Sequence, residues 1–469
     1  MGRVQESGRG ERPWPRSDSA EIAATASRHR VRPADELVRR LASKKARIGV
    51  IGLGYVGLPL VRLFATKGFA VLGFDIDERK IRSLNAGTSY ILSVPTATIA
   101  KLKKARKLEA TSDFKRIGEV DAMIICVPTP LTPDGKPDLQ PIVATTHSIA
   151  KNLREGQLVV LESTTYPGTT REVMLPELEK GGWKCGQDFF LAFSPEREDP
   201  GRKDYTNETI PKVVGGMDPE SHRAAVALYG AAIKTVVEAS SCEVAESAKL
   251  VENIYRCVNI ALVNELKMCF DRMGIDVWEV IRAAATKPFG FQPFFPGPGL
   301  GGHCIPIDPF YLSWKAREYQ FSTRFIDLAG EINVQMPYYV TAKIEQALKP
   351  RGLKDAKVLV LGLSYKKDID DPRESPSFKV IELLLGKGAK VVYNDPFFPT
   401  FPAMRHYRHL KVSPVELSEK VLSAQDAVVI VTDHSAYDYD WIVQNAKRVI
   451  DSRNATKNVT AGREKIVKA

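Results

Sequence analysis

Short apolar runs alternate with glycine turns and with stretches of helical periodicity along most of the chain after residue 46. Runs that predict strands occupy residues 47–51, 70–74, 122–127, 158–161 and 189–193, and residues 58–67 predict a helix after the first run. This alternation is typical of a doubly wound parallel sheet, because helices cover both faces and leave the strands wholly apolar. We therefore predict a first α/β domain from residue 41 to residue 235.

A long uninterrupted stretch follows this domain. From Ser240 to about Met273 the chain has no Gly or Pro, and its apolar residues recur at helical spacing. This pattern predicts one long helix, which is a candidate surface for a homodimer or a higher homo-oligomer. Shorter helices around a Gly/Pro-rich loop complete a predicted central helical domain over residues 236–338.

The α/β pattern returns in the last part of the chain. Residues 357–363, 389–393 and 427–431 predict strands, and residues 377–385 predict a helix. These elements predict a second, smaller Rossmann-like domain over residues 339–469. The predicted fold class is α/β, with two Rossmann-like doubly wound domains joined by a central helical segment that contains a long helix.

The formal net charge is +11, and much of it lies at the N-terminus, where residues 1–47 hold 12 Lys or Arg and 6 Asp or Glu. We predict that residues 1–40 form a disordered basic tail, helical from about Asp35, because few large apolar residues interrupt its Arg, Ser, Pro and Gly. The rest of the chain is mildly basic, which suits either an acidic small molecule or an ordinary solvated surface. We therefore predict no nucleic acid partner.

The apolar runs are shorter than the roughly 18 residues that a membrane segment needs, and the N-terminus lacks the apolar core of a signal peptide. We therefore expect a cytoplasmic protein with no membrane partner. Six cysteines are scattered along the chain without a CxxC pair. That spacing argues against zinc and against disulfides, so we predict no metal, and any functional cysteine is a reduced thiol.

A glycine-rich loop, Gly52-Leu53-Gly54-Tyr55-Val56-Gly57, follows the first strand and opens the first helix, and Asp75 ends the next strand. In this context the glycines allow a tight turn, a close approach of the backbone to a pyrophosphate and close packing of helix on strand. An acidic residue at position 75 accepts from a ribose hydroxyl and repels a 2′-phosphate, so NAD is predicted over NADP. The predicted cofactor contacts are Gly52, Gly54, Tyr55, Val56, Gly57 and Asp75.

A second glycine-containing loop, Gly301-Gly302-His303-Cys304-Ile305-Pro306-Ile307-Asp308-Pro309, presents a cysteine with a carboxylate four residues later. Glycines let the backbone bend around a ligand, and a cysteine in such a loop is a candidate nucleophile. A buried, inert cysteine in a turn is the alternative.

With these motifs and the run Lys249-Leu250-Val251-Glu252-Asn253, the chain resembles the UDP-glucose/GDP-mannose dehydrogenase family. The resemblance covers nearly everything after the tail. It implies an N-terminal NAD domain, a central helical segment and a C-terminal domain for the nucleotide of the substrate. It also implies oxidation of the C6 alcohol of a UDP-sugar to the carboxylate with two NAD, for a surface polysaccharide.

The resemblance implies that the Cys304 thiolate traps the aldehyde as a thiohemiacetal, which becomes a thioester that water hydrolyses. Lys249 and Asn253 are four residues apart on one face of the predicted helix, where they stabilise the negative oxygen on C6. Without the resemblance, an exposed lysine and a polar helix asparagine are the favoured explanation of these two residues.

Further roles come from the family pattern position by position. Glu196 assists thioester hydrolysis, Thr164 holds a water near C6, and Asp308 lies beside the cysteine. Thr129, Thr164 and Arg373 are predicted to contact NAD. The predicted substrate contacts are Glu196, Arg197, Lys249, Asn253, Gly301, Gly302, Lys366 and Lys367, and which of the two adjacent lysines meets the diphosphate stays open.

The sequence after Glu196 departs from the glucose-oxidising members, which commonly continue with Phe-Leu and a second glutamate before glycine. This chain reads Arg197-Glu198-Asp199-Pro200-Gly201, and His303 replaces a small residue before the cysteine. These departures resemble the branch that acts on UDP-N-acetylhexosamines, most of all its N-acetylglucosamine members. UDP-N-acetylmannosamine and UDP-glucose remain alternatives, a non-catalytic nucleotide-sugar sensor is an alternative of another class, and the role of His303 stays open.

Overall fold

The apolar runs of the first half form one sheet in the computed structural model, which describes residues 32–132, 134–197, 208–302, 304–404 and 406–469 and, for Cys304, the backbone alone. Within these ranges the first sheet has eight strands, in the order β3-β2-β1-β4-β5-β6-β7-β8. Its strands are β1 (Arg47–Ile51), β2 (Ala70–Phe74), β3 (Leu108–Thr111), β4 (Ala122–Ile125), β5 (Leu158–Leu161), β6 (Phe190–Phe193), β7 (Lys212–Gly216) and β8 (Val236–Ala239). Every residue of β4, β5 and β6 is buried, because helices cover both faces.

The second sheet contains the strands of the last part of the chain. In the described residues it has six strands, all parallel, in the order β11-β10-β9-β12-β13-β14. The strands are β9 (Lys357–Leu361), β10 (Lys390–Asn394), β11 (Ser413–Pro414), β12 (Ala427–Ile430), β13 (Val449–Asp451) and β14 (Ile466–Lys468). Residues 33–469, which include both sheets, form one compact unit.

Helices flank both sheets and fill the region between them in sequence. They are α1 (Pro33–Ala42), α2 (Gly57–Thr66), α3 (Glu78–Asn85), α4 (Thr96–Lys104), α5 (Gln140–Asn152), α6 (Leu175–Glu179), α7 (Pro219–Gly230), α8 (Cys242–Arg272), α9 (Val277–Ala284), α10 (Cys304–Ala316), α11 (Arg324–Ala347), α12 (Pro376–Gly386), α13 (Glu419–Ala424) and α14 (Tyr439–Asn445). Short 3₁₀ segments lie at Phe114–Glu119, Arg317–Tyr319 and Arg463–Lys465, and a π turn lies at Thr170–Met174.

The predicted long helix is α8, which spans 31 residues and therefore about 46 Å at 1.5 Å per residue. It begins after Ser241, whose Oγ accepts a hydrogen bond from the backbone N–H of Val244 at 3.3 Å. One face of α8 packs on α10 and α11. The long helix thereby links the cysteine loop to the rest of the central region.

Two features differ from the prediction. The strands β6 and β7 are antiparallel, so the first sheet is mixed rather than wholly parallel. The helix expected from about Asp35 is present as α1 but begins at Pro33, and residues 33–40 are ordered rather than disordered, because Ala34, Leu37 and Leu41 on one helical face are buried. The rest of the predicted tail, residues 1–31, lies outside the described residues. In the described parts of the chain no helix is long and apolar enough to cross a membrane.

Candidate active site

The glycine loop between β1 and α2 has the geometry that a dinucleotide needs. Gly52 has a φ of +91°, and a Cβ there would lie 2.5 Å from the carbonyl oxygen of Cys126. A Cβ at Gly57 would lie 1.9 Å from the carbonyl oxygen of Gly52, whereas no atom lies within 4 Å of a Cβ built at Gly54. The loop is therefore closed on the protein side and open at Gly54, where a pyrophosphate would approach the N-terminus of α2.

Asp75 lies buried at the carboxyl end of β2, beside this loop. Its Oδ2 accepts from the Leu53 N–H at 2.8 Å and from Lys80 Nζ at 2.8 Å, and its Oδ1 accepts from the Asp77 N–H at 2.9 Å. A carboxylate has about four acceptor positions. Asp75 therefore has capacity left for a ribose hydroxyl, and Lys80 is a neighbour that the sequence did not suggest.

Arg373 joins the last part of the chain to the cofactor loop. Its guanidinium lies 4.7 Å from the centre of the Tyr55 ring and is held by the Asp371 carboxylate, with an Nη2 to Oδ2 distance of 2.6 Å. The backbone N–H of Gly302 donates to the carbonyl oxygen of Arg373 at 2.9 Å. One residue therefore contacts both glycine loops.

Two side chains of α8 reach two different elements that border the candidate site. Lys249 Nζ donates to the backbone carbonyl of Glu196, just after β6, at 2.5 Å. Asn253 Nδ2 donates to Asp308 Oδ2 on α10, also at 2.5 Å. Lys249 and Asn253 are both buried. The structure therefore brings the ammonium, the amide, Glu196 and Asp308 together, as the spacing of four along α8 requires.

Asp308 is the most perturbed acid of this group. Burial raises its pKa to about 7, although Lys249, Asn253 and Arg256 act in the opposite direction. Asp308 Oδ1 is buried and accepts no hydrogen bond in the part of the chain that the structure describes. An acid with this pKa and an oxygen ready for a donor is suited to exchange a proton with a bound hydroxyl or water near neutral pH.

Cys304 is the first residue of α10, so positions 304 and 308 are one helical turn apart. The Cys304 side chain and His303 lie outside the described residues. Gly301 and Gly302, immediately before them, lie against Tyr365. A Cβ at Gly301 would be 2.4 Å from Tyr365 Cβ, and Gly302 has a φ of +79°, so both positions require glycine.

The carboxyl ends of β4 and β5 form the next wall of the site. Thr129 follows β4, is buried, and accepts a hydrogen bond at its carbonyl oxygen from the Tyr311 hydroxyl of α10. Thr164 follows β5 and is partly buried, and its neighbour Ser163 donates to the Val127 carbonyl at 2.7 Å. The Tyr166 ring in the same loop lies 5.1 Å from the Trp314 ring of α10, so both predicted threonines lie in loops that border the helix of Cys304.

Arg197 is fixed between two elements. Its Nη2 is 2.7 Å from the Glu252 carboxylate of α8, and its Nη1 donates to the Pro211 carbonyl at 2.8 Å. The residues that distinguish this chain from the glucose-oxidising pattern, 198–201, lie outside the described residues. The structure therefore locates Arg197 but not the rest of that segment.

Lys366 and Lys367 lie in the loop after β9, where Lys366 is partly buried and Lys367 is exposed. The neighbouring Arg453, after β13, donates from Nε to the Val431 carbonyl at 3.0 Å, and a Cβ at Gly297 would lie 2.7 Å from its Nη1. Burial lowers the pKa of Arg453, although Asp433 opposes this. The guanidinium therefore lies at the carboxyl edge of the second sheet and beside the loop that leads to Cys304.

The sequence reasoning missed several partners of the predicted residues. Arg256 Nη2 donates to Asn253 Oδ1, Tyr311 contacts the Thr129 loop, and Arg453 lies beside Gly297. Arg256 was open to prediction, because it lies three residues after Asn253 and so on the same helical face. The other two contacts join residues far apart in sequence and have no local signal.

Three models of one family match consecutive parts of the chain. Residues 46–233 match its NAD binding domain, residues 243–335 its central domain and residues 359–458 its UDP binding domain. The chain belongs to the UDP-glucose/GDP-mannose dehydrogenase family. This NAD-dependent dehydrogenase therefore has the family, enzyme class and cofactor predicted from its sequence, and the geometry of Gly52, Gly54, Gly57 and Asp75 fits NAD.

Several curated or solved relatives cover almost all of this dehydrogenase. A UDP-N-acetyl-D-glucosamine 6-dehydrogenase from Pseudomonas aeruginosa is 38% identical over 398 residues, which cover 84% of this chain and 92% of that protein. Protein CapL from Staphylococcus aureus is 42% identical over 414 residues, which cover 86% of this chain and 95% of that protein. The solved structure of a UDP-D-ManNAc dehydrogenase from Pyrococcus horikoshii has a TM-score of 0.80 at 33% identity and covers 90% of this chain and 98% of its own. The predicted fold class is thereby confirmed.

Proposed function

We propose that this dehydrogenase oxidises the C6 alcohol of UDP-N-acetyl-D-glucosamine to the uronic acid, with Cys304 carrying a thiohemiacetal and then a thioester. The observation that carries this proposal is the meeting of Lys249 with Glu196 and of Asn253 with Asp308, one helical turn after Cys304. NAD, when bound, supplies the two oxidation steps by accepting hydride.

Lys249 and Asn253 stabilise the oxygen on C6 whenever it is negative. The ammonium and the amide N–H groups both lie in a buried setting, where a hydrogen bond to an anion is stronger than in water. Asp308 takes the proton of the C6 hydroxyl at Oδ1, the buried oxygen that accepts no hydrogen bond from the described residues. A pKa of about 7 leaves Asp308 able to release that proton again.

Glu196 serves the last step, hydrolysis of the thioester. Its carboxylate takes a proton from water, the water oxygen adds to the thioester carbon, and the C–S bond breaks to return the Cys304 thiolate. Lys249 donates a hydrogen bond to the Glu196 carbonyl at 2.5 Å and so holds Glu196 close to the ammonium that stabilises the tetrahedral oxyanion. Thr164, after β5, is the proposed holder of the water.

The choice of an N-acetylated sugar rests on Arg197 and on the relatives. Arg197, held by Glu252 at 2.7 Å, is the described residue at which this chain leaves the glucose-oxidising pattern. Relatives from Pseudomonas aeruginosa and Salmonella typhi are UDP-N-acetyl-D-glucosamine 6-dehydrogenases, and a relative from Pyrococcus horikoshii is a UDP-N-acetyl-D-mannosamine dehydrogenase. UDP-N-acetylmannosamine is therefore the principal competing substrate.

The diphosphate of the substrate is proposed to lie at the carboxyl edge of the second sheet. Parallel sheets bind nucleotides at that edge, and Lys366, Lys367 and Arg453 lie in the loops that follow β9 and β13 there. A partly buried guanidinium suits a phosphate because it keeps its charge and donates two parallel hydrogen bonds. Arg453 is therefore the stronger anchor and the exposed Lys367 the weaker one.

A panel of UDP-sugars tests the proposed reaction. With UDP-N-acetylglucosamine, UDP-N-acetylmannosamine and UDP-glucose as substrates, we expect the highest kcat/KM for UDP-N-acetylglucosamine and two NADH for each uronate formed. NADH is followed by its absorbance, and uronate is measured by chromatography. A ratio of one NADH per sugar contradicts the cysteine route, and a higher kcat/KM for another sugar corrects the substrate.

We also propose that the dehydrogenase is a homodimer that pairs through α8. Four apolar side chains of this helix, spaced by seven, four and seven residues, are between 47% and 59% exposed. They are Val244, Val251, Tyr255 and Leu262. At 100° per residue they lie within about 40° of one another around the helix, so they form one straight apolar stripe. A stripe of this length on a rigid helix suits the same stripe of a second copy.

Charges placed in the stripe test this pairing. Replacement of Val251 and Leu262 by glutamate is expected to separate the dimer, because two carboxylates cannot be buried unpaired. The mass measured by light scattering should fall from that of a dimer, twice 52.0 kDa, to that of a monomer, 52.0 kDa. Leu92→Glu, at an exposed apolar residue away from α8, is the control and keeps the larger mass. A wild-type mass of 52.0 kDa at micromolar concentration rules the dimer out.

A further inference from the structure

A buried ion pair lies directly behind Glu196. Lys212 Nζ on β7 is 2.8 Å from Glu162 Oε2, and the Tyr229 hydroxyl donates to Glu162 Oε1 at 2.5 Å. Lys212 is only 5% exposed and Glu162 only 2%. The lysine ammonium also lies 5.2 Å from the centre of the Tyr229 ring. A lysine is rarely this buried unless its charge is compensated on several sides.

This ion pair is connected to the candidate active site. Lys212 Nζ is 3.7 Å from Glu196 Oε2, so one ammonium lies between two carboxylates. The arrangement follows from the sheet, because Glu162 follows β5, Glu196 follows β6, and the antiparallel β7 begins at Lys212 beside them. Glu196 therefore faces Lys212 through its carboxylate and Lys249 through its carbonyl.

The surrounding carboxylates keep Lys212 charged. Burial lowers the pKa of Lys212, but Glu162 and Glu196 outweigh this and raise it, so the lysine stays charged. Burial raises the pKa of Glu162 although Lys212 opposes it, and burial keeps the nearby Cys126 thiol neutral by raising its pKa. Without the ammonium, two carboxylates would share one buried space, and their repulsion would displace the side chain of Glu196, which is the less buried of the two.

Two further groups contact Glu196 among the described residues. The Arg197 N–H donates to Glu196 Oε1 at 2.7 Å, and the Arg197 guanidinium is paired with Glu252. The Lys249 ammonium donates to the Glu196 carbonyl. Together with Lys212, which lies 3.7 Å from Glu196 Oε2, these groups hold both the backbone and the carboxylate of Glu196.

We propose that Lys212 is a positioning residue that holds the Glu196 carboxylate in place, by bridging it to the buried carboxylate of Glu162. This inference rests on the proposed role of Glu196 as the base in thioester hydrolysis. In that step the water proton moves to Glu196 while the C–S bond breaks and the thiolate leaves. A carboxylate that is held in place meets the attacking water, whereas a displaced carboxylate does not.

The test compares Lys212→Met with Lys212→Arg in single turnovers, with enzyme and NAD in excess over UDP-N-acetylglucosamine. NADH is followed by absorbance, and uronate released after an acid quench is measured by chromatography. In Lys212→Met we expect NADH to form at nearly the wild-type rate and uronate release to slow about tenfold or more at neutral pH. Lys212→Arg, which keeps a cation between the two carboxylates, should restore uronate release.

Glu162→Gln gives a second prediction that does not remove the lysine. The neutral amide no longer fixes Lys212 by an ion pair, so uronate release is expected to slow while NADH forms at nearly the wild-type rate. If Lys212→Met does not fold, this variant decides. Wild-type uronate release in Glu162→Gln, or an equal loss of NADH formation and uronate release in a folded Lys212→Met, overturns the inference and assigns Lys212 to structure alone.

The same assay with Glu196→Gln separates this inference from the reaction on which it rests. Slow uronate release in Glu196→Gln with normal release in Lys212→Met refutes the role of Lys212 and leaves the base in place. Normal uronate release in Glu196→Gln refutes the base itself. In both cases intact-protein mass shows whether a uronyl group stays bound to the enzyme.

Discussion

Replacing Cys304 by serine is expected to lower uronate formation by about 10³-fold or more while the affinity for NAD stays unchanged. A serine hydroxyl is hardly ionised at neutral pH, so it adds to the aldehyde far more slowly than a thiolate does. The cofactor loop between β1 and α2 and the carboxylate of Asp75 are untouched by the change. Released aldehyde, trapped with hydroxylamine, should replace the uronate, and a fluorescence titration measures NAD binding.

Cys269→Ser is the matched control for this variant. Cys269 lies exposed near the end of α8 and forms no part of the proposed mechanism. Wild-type uronate formation is expected from it. Uronate formation by Cys304→Ser at the wild-type rate contradicts the thioester route, whatever the control does.

Replacing Glu196 by glutamine is expected to slow steady-state turnover by about 10²-fold to 10³-fold, because the attacking water loses its base. The two oxidation steps precede the hydrolysis that is slowed, so rapid mixing should show a burst of two NADH per active site. Intact-protein mass should then show the uronyl group on the enzyme. The amide keeps the shape of the side chain, which separates proton transfer from packing.

Glu238→Gln provides the comparison for the Glu196 variant. Glu238 lies on β8, its side chain is 64% exposed, and it pairs with His222 at the surface. Wild-type turnover without a burst is expected there. If Glu196→Gln turns over slowly with no burst, an oxidation step rather than hydrolysis has been damaged.

The interior strands were predictable because their sequences carry the signal themselves. β1, β2 and β5 have the predicted limits, since helices cover both faces and every interior position is apolar. β7 and β8 were missed for the opposite reason. β7 begins with a buried lysine and ends with two glycines, and β8 includes the exposed Glu238. Their pairing depends on neighbours far away in sequence, which local periodicity does not report.

The candidate site likewise contains residues that the local sequence predicts and residues that it does not. Gly52, Gly57 and Asp75 follow from a local motif with a physical reason, and the pair Lys249 and Asn253 follows from helical spacing. Lys212 had no such signal, because it becomes a partner of Glu162 and Glu196 only when β7 turns back beside β6. Roles that depend on strand order require the folded chain.

The contact of Arg373 with Tyr55, and of its carbonyl with Gly302, also limits how this protein can be recombined. The loop that carries Arg373 belongs in sequence to the second sheet, and its Asp368 accepts hydrogen bonds from Ser435 there, yet Arg373 contacts the two glycine loops of the earlier segments. A chimera that takes its second sheet from a relative to change nucleotide preference must therefore keep Arg373, and the Asp371 that holds it, as in the recipient. The functional border between the segments lies inside this loop rather than at the preceding helix.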